Sequence, residues 1–203
     1  MTRIWKLYDF DFKSSNAHKI SMASYPGMVM SGDDFYITDQ ELAVMETTHS
    51  VYNVTLFKKF MLPTNVLHVF RTMVAHRLAT TAPDWVTIFE KNNDGAYSNQ
   101  WMVLDYKLFT PGKPLKPDTF WISEQLPGSF VHADMTSTLN DAGYWPSYNV
   151  PYFLDIYKLA GWEAMQDKYG LFFNHTHTNR AQLFARDHHT VKDMPTMKAM
   201  MRE

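Results

Sequence analysis

From Val66 to Ala79 the apolar residues Val66, Phe70, Met73, Val74 and Leu78 recur three and four positions apart. That spacing gathers them on one helical face and leaves Arg71, His76 and Arg77 elsewhere, so a helix is expected here. A second helix is expected from Pro83, a favoured first-turn residue, burying Trp85, Ile88 and Phe89 before Asn92 and Asn93 end it. Strand patterns flank this pair. Met28 to Thr48 predicts a β-hairpin, MVMSGDDFYIT and ELAVMETT joined at Asp39-Gln40. QWMVLDYKLF and TFWISEQL predict two further strands joined by Thr110-Pro111-Gly112-Lys113-Pro114, and Ser129 to Ala133 predicts another after the Pro127-Gly128 turn. Beyond Asp134 the pattern becomes helical, over Pro151–Leu159, Trp162–Lys168, Ala181–His188 and Pro195–Arg202, with Gly161 and Gly170 suited to helix ends. The expectation is an α+β fold in one domain, residues 1–203, sheet-rich in its first two-thirds and helical in its last third.

Composition narrows the function classes. The 203-residue chain is 45% hydrophobic and 15% aromatic, as expected of a globular domain with a full core. Lys and Arg number 19 against 21 Asp and Glu, a formal charge of -2, so no nucleic-acid or anionic-membrane partner is expected. No apolar run reaches the ~20 residues of a membrane span, and MTRIWKLYDFDFK lacks the apolar stretch of a signal peptide. Cysteine is absent, which removes disulfides and thiolate chemistry from this chain. Asn53-Val54-Thr55 and Asn174-His175-Thr176 fit the glycan acceptor pattern, relevant only on the secretory route.

The chemistry concentrates in Asn93 to Tyr106, NDGAYSNQWMVLDY, where amides and hydroxyls lead into an apolar strand. Buried polar groups left unpaired cost about 1–3 kcal/mol each, so such a run implies a satisfied network or a ligand. With SYPGMVMSGDDFY (Ser24 to Tyr36), ETT (Glu46 to Thr48), HRLA (His76 to Ala79), EQLPG (Glu124 to Gly128), GYWPSYNVPYF (Gly143 to Phe153) and NRAQLFARD (Asn179 to Asp187), in this order, the chain resembles the phospholipase B-like, or lamina ancestor, family of N-terminal nucleophile hydrolases. The family pattern near NSGTYNNQW stands here as Asn93-Asp94-Gly95-Ala96-Tyr97-Ser98-Asn99-Gln100-Trp101, and Asn179 replaces its usual Pro. These departures are expected to reshape the pocket's edge.

The resemblance implies a partial αββα sandwich, antiparallel sheets flanked by helices, incomplete at both ends relative to the family. It implies a hydrolase of acyl ester or amide bonds whose new N-terminal cysteine lies a few tens of residues upstream of Met1-Thr2-Arg3-Ile4. The chain would then be a fragment, a truncated gene model or a degenerate paralogue. Its parent would be lysosomal or secreted, need no cofactor, act on a lipid or acyl-amide substrate, and join this chain to the remaining segments of the precursor. This chain would supply the oxyanion and substrate side and be inactive alone.

Asn99 is the expected oxyanion donor, being neutral with two N–H bonds, and its alternative is a turn-satisfying asparagine. Arg180 would anchor a carboxylate or the substrate carbonyl, or else pair with Asp187 on the surface. On the hairpin, alternation lets one member of each adjacent pair face the site. Asp33 and Thr47 are expected to face it, with Thr47 catalytic and Asp33 and Glu46 substrate-binding; Glu46 pairs with a base, and a solvated hairpin rim is the alternative. Trp101, Tyr106, Trp121, Trp145 and Tyr148 line an apolar acyl pocket or pack the core, with Tyr144 to Asn149 the stretch best suited to a pocket wall. Two other classes remain open. One is an inactive relative that binds lipid or a partner. The other is a zinc protein using His175, His177 and His188, although this spacing matches no usual ligand frame.

Overall fold

The computed structural model describes residues 2–202. Seven strands form one antiparallel sheet in sequence order: β1 (Ile4–Asp9), β2 (Lys19–Ser24), β3 (Phe35–Thr38), β4 (Leu42–Thr48), β5 (Asn99–Asp105), β6 (Phe120–Leu126) and β7 (Ser129–Asp134). Between β4 and β5 run α1 (Thr55–Phe60), α2 (His68–Leu78) and α3 (Ala82–Glu90). After β7 come α4 (Thr136–Ala142), α5 (Leu154–Leu159), α6 (Trp162–Tyr169), α7 (Asn179–Asp187) and α8 (Met194–Met200). The fold is therefore α+β, an antiparallel sheet with helices, and among the described residues the sheet is single.

One face of the sheet is closed by α2 and α3. Ile20, Met22, Tyr36, Leu42, Val44, Trp101 and Val103 pack there against Ala75, Trp85, Val86 and Phe89. The α3 face carries three aromatic rings in contact, with Trp85 5.2 Å and Phe89 5.0 Å from Trp101. Thr81 caps α3 by accepting from the Asp84 amide. The opposite face is covered only over β5 and β6, where Met102, Phe120 and Ile122 meet Met135, Leu139, Trp145 and Phe153. Over β1 to β4 that face is bare: Trp5 and Leu7 are 63% and 62% exposed, with Ile37 and Met45 beside them.

The structure departs from the expected pattern in four places. Strands β1 and β2 were not anticipated, because β1 carries large apolar residues on both faces and shows no polar alternation. Helices α1 and α4 were also missed. The hairpin keeps its turn at Asp39–Glu41, but its first strand starts only at Phe35. Ser31 organises the loop before it, its hydroxyl donating to the Ala23 carbonyl, and Asp34 adopts a left-handed φ of 63°. Helix α2 is turned the other way round from its apolar stripe. Arg71, Thr72, Ala75 and His76 face the core, while Phe70, Val74 and Leu78 are exposed.

Specific partners hold that inverted orientation. Arg71 donates to Asp94 at 3.2 Å, to Gln125 at 3.1 Å, to the Lys91 carbonyl at 3.1 Å and to the Phe89 carbonyl. His76 accepts the Trp85 indole N–H at 3.0 Å and lies against the Tyr36 ring. Asp94, one of the departures from the family pattern, is thus the counter-charge of a buried arginine and also accepts from the His68 amide at 3.0 Å. Gly95 follows because its chain passes so close to Leu126–Pro127 that a Cβ would lie 2.1 Å from the Pro127 nitrogen, at φ 59°.

Candidate functional site

Strands β4, β5 and β6 place Thr47, Gln100 and Glu124 in cross-strand register, Thr47 opposite Gln100 and Gln100 opposite Glu124, on the partly bare face. Glu124 is fully buried, which drives its carboxyl up to about 7. It accepts the Gln100 amide at 2.7 Å and the backbone N–H groups of Tyr152 at 2.6 Å and Phe153 at 3.0 Å. Gln100 in turn accepts the Trp145 indole N–H at 3.0 Å. One buried carboxylate therefore fixes both ends of the segment from Trp145 to Phe153 over the sheet.

That segment carries the polar wall. The Ser147 and Thr47 hydroxyls share a hydrogen bond, and the Asn149 amide donates to the Thr48 carbonyl. Arg180, in the first turn of α7, donates to the Asn149 side-chain oxygen. Thr47, Asn149 and Arg180 thus form one connected rim. Beside it lies a cavity of about 460 Å³ lined by aromatic groups, Tyr52, Tyr148, Trp162 and Phe173, with Ser50, Thr178 and Arg180 among its polar positions. Tyr148 is itself anchored, donating to the His175 carbonyl at 2.7 Å.

At the same end of the sheet lie three buried side chains, Glu46 and Asn99 on the helix-covered face and His49 just past the end of β4. Glu46, beside Asp34 and Tyr97, and His49, beside the Ser50 backbone, make no hydrogen bond of good geometry, and both amide atoms of Asn99 are buried without a hydrogen bond. Trp101 Nε1 and Ser123 Oγ, cross-strand neighbours of each other, share that condition. Such groups ordinarily find partners in water, ligand or protein, so their concentration here marks a site. Burial, with Asp34 close by, pushes Glu46 up to about 9, while burial pushes His49 down to about 4, so both are neutral at neutral pH.

The expected site residues divide. Thr47, Arg180, Trp145 and Tyr148 come together, whereas Asn99 stands at the same strand end but on the opposite face from Thr47, since it pairs with Thr48. Glu46 meets no base; its charged neighbour is the acid Asp34, and Tyr97 stands near. Asp33 pairs with Arg3, away from Thr47. Trp101 is core, and Trp121 donates its indole N–H to Asp118 at 3.0 Å. Tyr106 lies in a short helical turn after β5. Arg180 does not take Asp187, which pairs with Arg186.

The zinc reading fails on geometry. His175 faces Tyr148, His177 faces Asn174 and Thr176, and His188 stacks on Tyr144 at 3.9 Å. Among the described residues no group of three or more His, Asp or Glu is placed to hold a metal ion. At both glycan acceptors the attachment nitrogen is hydrogen-bonded, Asn53 donating to the Leu159 carbonyl at 3.3 Å and Asn174 to Gln166 at 3.0 Å. Sequence reasoning placed Ser147 and Asn149 only within the Tyr144 to Asn149 pocket wall and gave no role to His49 or Glu124. Of those two, Glu124 left a signal, a charged residue inside the apolar run FWISEQL.

Comparison with known proteins matches these features to one family. The Phospholipase B family model matches residues 1–203. Phospholipase B-like protein G of Dictyostelium discoideum is 42% identical over 210 residues, covering 99% of this chain and 35% of that protein. Putative phospholipase B-like 2 of Bos taurus is 40% identical over 212 residues, covering 100% and 36%, and phospholipase B-like 1 of the same species is 38% identical over 204 residues, covering 100% and 37%. The chain thus spans about a third of the length of these curated relatives. No helix among the described residues is long and apolar enough to cross a membrane. With a family match over its whole length and relatives near 40% identity, this chain belongs to the phospholipase B family.

Proposed function

We propose that this chain forms the oxyanion and substrate side of an acyl hydrolase of the N-terminal nucleophile type, with the nucleophile carried by further polypeptide of the same protein. The observation that carries this is the fully buried Asn99 side chain, unpartnered where β4 ends and β5 begins, with Glu46 and His49 buried beside it. A buried amide with no partner calls for one that the described residues do not supply. A thiol or hydroxyl entering past that edge would add to the acyl carbonyl of an ester or amide. The oxyanion formed would be held by the Asn99 amide N–H, the leaving alcohol or amine would depart with a proton, and water would then release the acyl group.

His49 stands near such a step as a neutral imidazole, a weak base because burial pushes it down to about 4. On the other face, Thr47 and Arg180 are placed to bind substrate oxygen or charge, and the aromatic cavity beside Tyr148 has a size that suits a lipid chain. The bare sheet face over β1 to β4 is of the kind that a second sheet covers in a sandwich, consistent with an αββα protein completed by the remaining segments. The parent would act in a lysosome or outside the cell. The test compares hydrolysis of phosphatidylcholine and of an N-acyl amide by the purified chain and by a protein of its relatives' length that contains it. Turnover by the longer protein alone is expected. Turnover by the metal-free chain on its own would overturn the proposal.

A further inference from the structure

The outward face of α2 forms one wall of an open groove of about 760 Å³, remote from the polar rim. Phe70, Val74 and Leu78 recur every fourth residue along this wall, with Met73 and Arg77 beside them. Tyr8, Phe10, Phe12 and Val29 form the facing wall. Phe70 is 55% and Val74 47% exposed, although the helix buries Arg71, Thr72 and His76 instead. A helix that turns charge inward and its apolar stripe outward gains nothing from solvent, and a contiguous apolar patch of this kind marks a binding surface.

Charge decides what the groove suits. Among the described residues Arg77 is the only charged side chain lining it, the other polar groups being the Tyr8, Ser14 and Ser15 hydroxyls. Its Nη1 donates to the Ala17 and His18 carbonyls at 2.9 and 2.7 Å, and its guanidinium lies 5.4 Å from the Phe10 and Phe12 rings. Asp9 and Asp39 contribute to its field, but among the described residues no carboxylate comes within ion-pair distance of it. The guanidinium is therefore held in place at one end of an apolar trough, with Asp9 and Asp39 near it but beyond ion-pair distance. A guanidinium fork matches a carboxylate, and no second charge is present for a zwitterionic headgroup.

We propose that this groove binds a long-chain fatty acid, its alkyl chain between α2 and the Phe10–Phe12 arm and its carboxylate on Arg77. Such a site is separate from the hydrolytic one and does not depend on it. The test titrates the protein with laurate below its micelle concentration by isothermal calorimetry, and repeats the titration with uncharged methyl laurate. One saturable site is expected for laurate, weakened at least tenfold by Val74→Glu. Arg77→Gln is expected to weaken laurate binding while leaving methyl laurate within twofold. Val74 is a surface position, and an unchanged melting curve shows that the Val74→Glu variant is folded. Absence of saturable binding, or binding that Val74→Glu leaves unchanged, overturns the proposal. So does a dimer dissolved by Val74→Glu in a protein that ignores laurate, since a second copy would then be the occupant.

Discussion

At the scale of single residues the protein holds charges where water does not reach, and each has a measurable consequence. Arg71 and Asp94 are both about 3% exposed and paired at 3.2 Å. Removing one partner strands the other, so Arg71→Met should lower stability by about 3–5 kcal/mol in urea unfolding, and adding Asp94→Asn should restore part of the loss. An Arg71→Met protein as stable as the wild type would show that the pair is idle. Glu46 behaves in the opposite sense. Its folded pKa, about 9, lies above its ordinary value, so its protonated form favours folding fully below about pH 4.5 and progressively less as pH rises through 9. The melting temperature should therefore fall between pH 5 and pH 9, and Glu46→Gln should flatten that fall. An alkaline loss of the same size in the variant would assign it to other groups.

At the scale of elements, much was legible and the exceptions have physical causes. The strands β5, β6 and β7 and the helices α3, α5, α6 and α7 follow their patterns to within a few residues, β5 and β6 as continuous apolar runs buried on both faces and α3 through the buried stripe of Trp85, Val86 and Phe89. Helix α2 was legible as a helix but not in its orientation, which depends on partners 18 to 54 residues away, the Phe89 carbonyl and Gln125. Of the site, Thr47, Tyr148 and Arg180 were visible through family motifs; Glu124 showed as a charge inside an apolar run, but its partners Gln100, Tyr152 and Phe153 did not, and the burial of His49 follows from no local pattern. The Trp145–Phe153 segment depends on one carboxylate. Glu124→Gln keeps the shape and one acceptor oxygen, which the Gln100 and Tyr152 donors share, but sets an N–H group against the Phe153 amide, so faster hydrogen exchange at Phe153 is expected, with the rest of the sheet unchanged. Exchange unchanged at Phe153 would mean that packing alone holds the wall.

At the scale of the whole molecule, one face of the sheet is half covered. Trp5, Leu7, Ile37 and Met45 present large apolar groups over β1 to β4, a surface on which isolated chains should associate. Trp5→Lys with Leu7→Lys should reduce light scattering by the concentrated chain without lowering its melting temperature. Undiminished association would place the sticky surface elsewhere. The same bare face and the unpartnered Asn99 side chain where β4 ends and β5 begins point to further polypeptide completing the site, and the chain covers 35% to 37% of its relatives. The most direct measurement is the steady-state kinetics of Asn99→Ala in an active protein of the relatives' length. An oxyanion donor predicts a fall in kcat of about 10²–10³-fold with KM little changed. An unchanged kcat would contradict the account.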